Sequence, residues 1–199
     1  MKRYLGRSGI EISALGMGCW AIGGPFWADK TPLGWGEVDD SESIRAIHTA
    51  IDNGVNFFDT ANVYGAGHSE RVLGQALSGR RSQVVIATKF NAVFDETSRQ
   101  VTGDDATPDG IRKACDESLR RLNTDYIDLY QFHDNGFSAE KALPVRDTLE
   151  SLVEAGKIRS YGWSTDFPDR AEVFAQGPKC TAIQLQLNVL DDNPAVIAL

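Results

Sequence analysis

Short apolar runs alternate along this chain with longer stretches in which apolar residues return every three or four positions. The runs fall at residues 15–20, 56–60, 84–89, 127–133, 158–164 and 182–188. Strand-like runs separated by helical patterns predict a parallel sheet built from βα units. Ser41 is the expected N-cap of one helix; Ile44, Ile47 and Ile51 share its apolar face and Gly54 ends it. Thr107-Pro108 opens a second, with Ile111, Ala114, Cys115, Leu119 and Leu122 along one stripe. A third is expected to start at Pro144, bury Val145, Leu149, Leu152 and Val153, and stop at Gly156. A shorter one begins near Pro168.

Ahead of the first run, residues 4–14 carry Gly6 and a Ser8-Gly9 turn signal before Ile10 and Ile12, which predicts a β-hairpin. Two stretches, 23–39 and 91–105, break the rhythm as long loops, and loops of that length in a compact domain often carry function. The aromatics Phe26, Trp27 and Trp35 of the first loop either pack over the barrel mouth or touch substrate. The fold class expected is α/β, a (β/α)8 TIM barrel. Such a barrel needs eight strands in typically about 250 residues. Six are legible here, and residues 191–199 follow the sixth directly. The expectation is therefore one domain over residues 1–199, an incomplete barrel of about six βα units that lacks the last two. Two open sheet edges would favour self-association.

Composition narrows the function classes. The chain has 199 residues, 42% hydrophobic and 24% charged, in the ordinary range for a globular protein. No apolar run reaches the roughly 20 residues of a membrane span, and the basic start lacks the apolar core of a secretory signal. A cytoplasmic location with no membrane partner is expected. Cys19, Cys115 and Cys180 are odd in number and far apart, so neither a disulfide framework nor a metal site is expected. A net charge of −8 argues against nucleic-acid binding, though a local pocket can still be basic enough for an anionic cofactor. His48 and His68 lie in or beside helices, where surface placement is expected.

Barrel enzymes keep their working residues at the carboxyl ends of strands. Asp59, Lys89 and His133 each end an apolar run. By strand alternation Lys89 shares a face with Val85 and Ala87, and His133 with Leu129 and Gln131. Tyr64 follows Asp59 by five residues in a Gly-flanked loop. Singly, a strand-end Asp caps a turn, a Lys is a rim charge, and a His or Tyr satisfies a backbone group. Together at one barrel mouth they make an acid. A free Tyr has a pKa of about 10, and an ammonium at about 4 Å favours the phenolate by on the order of 4 kcal/mol at an effective dielectric near 20. That would draw the pKa down by as much as about three units, before desolvation takes some back. Asp59 would keep Lys89 charged, His133 would place a carbonyl, and Tyr64 would donate the proton. With no nucleophile or metal cluster in the sequence, the hydride must come from a cofactor.

The chain resembles the aldo-keto reductase family in Asp59-Thr60-Ala61-Asn62-Val63-Tyr64-Gly65, in Gly67-His68-Ser69-Glu70, and in Leu73-Gly74. The likeness continues through Ala87-Thr88-Lys89, Asp125-Tyr126-Ile127-Asp128-Leu129-Tyr130-Gln131-Phe132-His133, Gly156-Lys157-Ile158-Arg159 and Gly162-Trp163-Ser164. The resemblance implies reduction of aldehydes or ketones with NADPH, NADH being possible, and small carbonyl substrates. It implies Asp59, Tyr64, Lys89 and His133 as the catalytic set, with Ser164 and Gln184 holding the nicotinamide carboxamide and Trp20 and Asp59 beside it. Tyr4-Leu5-Gly6 and the longer second loop look most like the bacterial and potassium-channel-β-like branch. Two positions depart from the family pattern: Thr165 stands where Asn is usual, and Leu187-Asn188 where Tyr-Asn or Tyr-Ser is common. The units that carry the cofactor's phosphate grip in the family have no counterpart in this sequence. A regulatory binding subunit and a truncated, inactive barrel remain as alternatives.

Overall fold

The computed structural model describes residues 2–186 and Asn188. In chain order the strands and helices are β1 (Lys2–Tyr4), β2 (Glu11–Ser13), β3 (Gly16–Gly18), β4 (Trp27–Ala28), β5 (Thr31–Pro32), α1 (Asp40–Asp52), β6 (Phe57–Asp59), α2 (His68–Ala76), β7 (Val85–Phe90), β8 (Ala92–Asp95), β9 (Gln100–Asp104), α3 (Pro108–Leu122), β10 (Ile127–Phe132), α4 (Ala142–Glu154), β11 (Ile158–Ser164), α5 (Pro168–Ala175) and β12 (Cys180–Gln184).

Six strands form one parallel sheet in the order β3-β6-β7-β10-β11-β12, each beside its successor. Singly wound βα units with helices on one face are the (β/α)8 barrel architecture, here with six strands among the described residues. Alternation along the strands divides the core in two. Val85, Ala87 and Leu129 point inward and meet Leu5 and Ile10. Phe58, Ile86, Phe90, Tyr130 and Phe132 point outward and pack under the helices with Ile47, Leu73, Ile111, Leu149 and Trp163. Leu5 and Ile10 come from the segment of the expected antiparallel hairpin, β1–β2, which plugs the amino-terminal end of the sheet. Arg7 fastens this plug, donating to the carbonyls of Ala175 (2.5 Å), Cys180 (2.9 Å) and Gly177 (3.1 Å).

The helix signals hold with local corrections. The first N-cap is Asp39, not Ser41: its carboxylate, a stronger acceptor two residues earlier, accepts from Ser41 N (2.8 Å) and Glu42 N (3.2 Å). Helix α3 begins at Pro108 behind the Thr107 cap, as the Thr-Pro pair predicts, and buries Ile111, Cys115 and Leu122. Helix α4 starts at Ala142, two residues before Pro144, because a preceding 3-10 turn leads into it. The sixth strand starts at Cys180 and ends at Gln184, so Leu185 and Gln186 of its expected extension are not strand; Leu187 and residues 189–199 lie outside the described residues.

The two long loops are not plain loops. Parts of both pair into a second sheet, β5-β4-β9-β8, with β4 parallel to β9 across 73 residues of sequence (Trp27↔Gln100). This sheet packs Phe26, Phe94 and Val101 against Ala61, Val63 and Tyr64. Packing is thus the role of Phe26, whereas Trp35 stays exposed. The two helix-associated histidines are also less free than expected. His48 Nε2 lies 2.8 Å from the Ala76 carbonyl, and His68 Nε2 lies 2.8 Å from Asp40 Oδ1. Both are half-buried rather than on open surface, because each bridges α1 and α2 or their ends.

Candidate active site

Lys89 is the last inward-facing residue of β7, and its side chain is only 2% exposed. A buried ammonium is tolerated only when its three protons find acceptors. Here they go to Asp59 Oδ2 (2.7 Å), the Thr60 carbonyl (2.9 Å) and the Tyr64 hydroxyl (3.3 Å). Asp59 ends β6, the neighbouring strand, so the pair is set by strand register (Asp59↔Ala87).

Tyr64 lies on the loop between β6 and α2, and local backbone geometry holds it in place. Gly65 has φ +62°, and a Cβ there would collide with the Gly23 carbonyl oxygen, so only glycine lets the two loops approach this closely. Helix α2 closes the loop from behind through Ser69 N donating to the Tyr64 carbonyl (3.2 Å). Ser69 Oγ in turn donates to the Cys19 carbonyl (2.7 Å) and meets Thr60 Oγ1 at 2.8 Å. On its other face the Tyr64 ring stacks on Trp20, with centroids 5.7 Å apart and planes inclined by 15°.

His133 follows the end of β10, its ring edge-on to Tyr64 at 6.2 Å. Burial, and then the nearby Lys89 charge, push its pKa down to about 4, so the ring is neutral at pH 7. The expected drop in the Tyr64 pKa is not found. Burial raises it above the ordinary tyrosine value, and Asp59 adds to that, outweighing the Lys89 ammonium that acts the other way. The main reason is the loss of solvent around the phenol; the Asp59 carboxylate, 2.7 Å from the same ammonium, offsets part of the Lys89 effect.

These four side chains line one wall of a cleft of about 450 Å³ at the carboxyl ends of the strands. Ser164 and Gln184 line it as well and are register partners at the ends of β11 and β12. Trp20 stands outside that lining, half over Tyr64, with its indole N–H donating to the Leu33 carbonyl (3.1 Å) and Trp35 edge-on to it at 5.8 Å. Thr165 is buried, its hydroxyl donating to Asn135 Oδ1 (3.1 Å), and Asn135 lines the cleft too. The three cysteines are buried free thiols, and among the described residues no cluster of His, Cys, Asp and Glu could hold a metal.

Sequence reasoning missed two groups around this site. Gln131, inward on β10 and 1% exposed, reaches both Asp59 and Gln184. Its signal was a polar residue on a buried strand face. Behind Lys89, Thr88 Oγ1 donates to Glu70 Oε1 (2.6 Å) and Arg121 Nε to Glu70 Oε2 (2.6 Å), all buried. Nothing in the local sequence pattern pairs residues 70 and 121.

A singly wound parallel sheet, plugged at one end by a hairpin and carrying a polar cleft at the other, is the arrangement of a (β/α)8-type barrel. The chain belongs to the aldo/keto reductase family, whose model matches residues 14–199. It is 36% identical over 195 residues to the aldo-keto reductase YhdN of Bacillus subtilis, covering 92% of this chain and 53% of that protein. It is 31% identical over 193 residues to the uncharacterized oxidoreductase YqkF of the same organism, covering 97% of this chain and 58% of that one. Among solved structures, the holo form of an aldo-keto reductase from Bacillus halodurans superposes with a TM-score of 0.79 at 32% identity, over 94% of this chain and 57% of that chain. An aldo/keto reductase from Klebsiella pneumoniae in complex with NADP and acetate gives 0.68 at 28% identity, over 89% and 56%. The chain thus spans about half the length of the curated relatives it matches. No helix among the described residues is long and apolar enough to cross a membrane.

Proposed function

We propose that this chain carries the proton-transfer site of an NADPH-dependent reductase of small aldehydes or ketones, with Tyr64 as the acid. The observation that carries the reading is the Lys89 ammonium, held by Asp59 and Thr60 with its remaining donor on the Tyr64 hydroxyl. The cleft's donor set suits a nicotinamide: the Ser164 hydroxyl and Gln184 amide sit side by side and match the carboxamide's acceptor and donor. Ser164 and Gln184 would hold that group, with Asp59 beside it and Trp20 on the far side of Tyr64. When bound, the reduced nicotinamide supplies the hydride.

The chain's own residues supply the rest. Tyr64 stays protonated at neutral pH and delivers its proton to the carbonyl oxygen as negative charge develops there. Lys89 stabilises the phenolate left behind, at the low local dielectric of a buried site. Neutral His133 donates an N–H to the same oxygen and orients the carbonyl, adding no second positive charge beside Lys89. Solvent then returns the proton to Tyr64.

The test is titration of the 199-residue chain with NADPH by fluorescence quenching, alongside turnover of a generic aldehyde. Saturable quenching, with turnover that falls at least 100-fold in Tyr64→Phe while quenching is kept, is the expected result. Turnover that survives Tyr64→Phe overturns the assignment of the acid.

A further inference from the structure

We propose that Gln131 is a positioning residue that fixes the polarity of the Gln184 amide, turning its Nε2 donor toward the cleft and so toward a carbonyl-type acceptor on the bound ring. The proposal rests on the reading above that Gln184 meets the cofactor carboxamide.

Asp59, Gln131 and Gln184 form a chain of polar contacts. Asp59 Oδ2 is taken by Lys89 at 2.7 Å, which leaves Oδ1 needing a donor. Gln131 Nε2 lies 3.5 Å from that Oδ1. The distance is long for a full hydrogen bond, but the charge decides the orientation: an amide oxygen turned to a carboxylate oxygen would be repelled. Gln131 therefore presents its NH2 end. The same Nε2 donates to Gln184 Oε1 at 3.2 Å. With Oε1 committed, Nε2 is the end of Gln184 left to serve the cleft that this residue lines. The Asp59 charge is thus relayed, through one buried amide on β10, into a choice between donor and acceptor at Gln184 on β12, two strands from β10. Gln131 is 1% exposed and stands in register between Lys89 and Gly162, so it has no solvent-facing alternative.

Two measurements test this. The first uses the chain without cofactor: side-chain amide NMR of 15N-labelled protein, assigned by signals lost in Gln131→Leu and Gln184→Leu. The Gln131 NH2 protons should exchange with deuterium at least about tenfold more slowly than those of Gln184. The reverse order, or equal rates, overturns the proposal. This arm needs no variant to fold beyond those used for assignment; Gln131→Asn and Gln184→Asn serve if the leucine variants do not.

The second compares NADPH with its 3-acetylpyridine analogue, which keeps the ring carbonyl but replaces the carboxamide NH2 with a methyl group. Only the Nε2 end of Gln184 can serve that analogue. In Gln131→Leu, affinity for the analogue should fall about tenfold, the worth of one neutral hydrogen bond, and affinity for NADPH less than about threefold. Equal losses for both ligands overturn the polarity role and leave only packing. If the wild-type chain binds neither ligand, the reading of Gln184 as a cofactor contact fails, while the exchange experiment still decides the amide polarity.

Discussion

The Tyr64 hydroxyl stands 3.3 Å from the Lys89 ammonium, and yet Tyr64 holds its proton more tightly than a free tyrosine does. Proximity to a cation is outweighed chiefly because the phenol is largely desolvated, with Asp59, 2.7 Å from the same ammonium, adding to the rise. Lys89 pulls the Tyr64 pKa down, but not far enough to overcome burial, so Tyr64 is not ionised at rest. Its contribution comes when the phenolate forms, when a fixed donor already in place needs no reorganisation.

Removing Lys89 should therefore cost stability as well as turnover. Lys89→Met leaves the Asp59 carboxylate facing an apolar side chain, and stranding one partner of a buried pair costs about 3–5 kcal/mol. Asp59 is 19% exposed, which places the expected loss at the lower end. Urea unfolding and aldehyde turnover should both fall. The double variant Lys89→Met with Asp59→Asn should regain much of the stability and none of the turnover. Equal stability in wild type and Lys89→Met would refute the pairing.

His133 gives a pH dependence with a definite sign. Its folded-state pKa is pushed down to about 4 from 6.5, so the folded chain refuses a proton that the unfolded chain accepts. Stability is complete above about pH 6.5 and falls as pH drops toward 4, by up to about 3 kcal/mol from this group. His133→Gln should flatten that part of the profile. Urea midpoints for both proteins at pH 7.5, 6 and 4.5 are the measurement, and parallel curves would remove His133 as the cause. Turnover should likewise show no inflection near pH 6.5, since the ring is already neutral there.

How much of this was readable beforehand depends on the range of the interaction. Lys89 and His133 were legible because a strand's alternation is local: a polar residue ending an apolar run must face the barrel mouth if its neighbours two back face inward. The Thr107-Pro108 start of α3 was legible for the same reason. The second sheet was not, because strands of two residues such as Trp27–Ala28 carry no period, and that strand's link to β9 spans over 70 positions. The rise in the Tyr64 pKa was missed because its sign is set first by how deeply the phenol is buried and then by how Lys89 is shared with Asp59, and neither can be read along the chain.

The loop carrying Tyr64 makes a separate prediction. Gly65→Ala forces a side chain into the Gly23 carbonyl at a φ of +62° that L residues avoid. The two loops must separate, carrying Tyr64 away from Lys89 and Trp20. A stability loss of about 1–3 kcal/mol is expected, with turnover falling more steeply than that loss explains. Trp20 fluorescence reads the displacement directly, since its ring stacks on Tyr64. Unchanged fluorescence and turnover would show that the loops have room to spare.

The Glu70–Arg121 pair separates an anchoring role from a catalytic one. Both side chains are 1% exposed or less, and they tie α2 to α3 directly behind the strand that bears Lys89. Thr88, next to Lys89, donates to the second Glu70 oxygen, so Arg121→Met strands a carboxylate that still holds one hydroxyl. That variant should lose about 3–5 kcal/mol. Glu70→Leu with Arg121→Met replaces both charges by apolar groups and should recover most of it, provided Thr88→Val removes the hydroxyl left without an acceptor. Turnover per folded molecule should return with stability in the triple variant if the pair only anchors α2. A triple variant as stable as wild type but with turnover still depressed would instead mean that the Glu70 charge itself acts on Lys89 through Thr88. Denaturant melts paired with active-site-normalised rates distinguish the two outcomes.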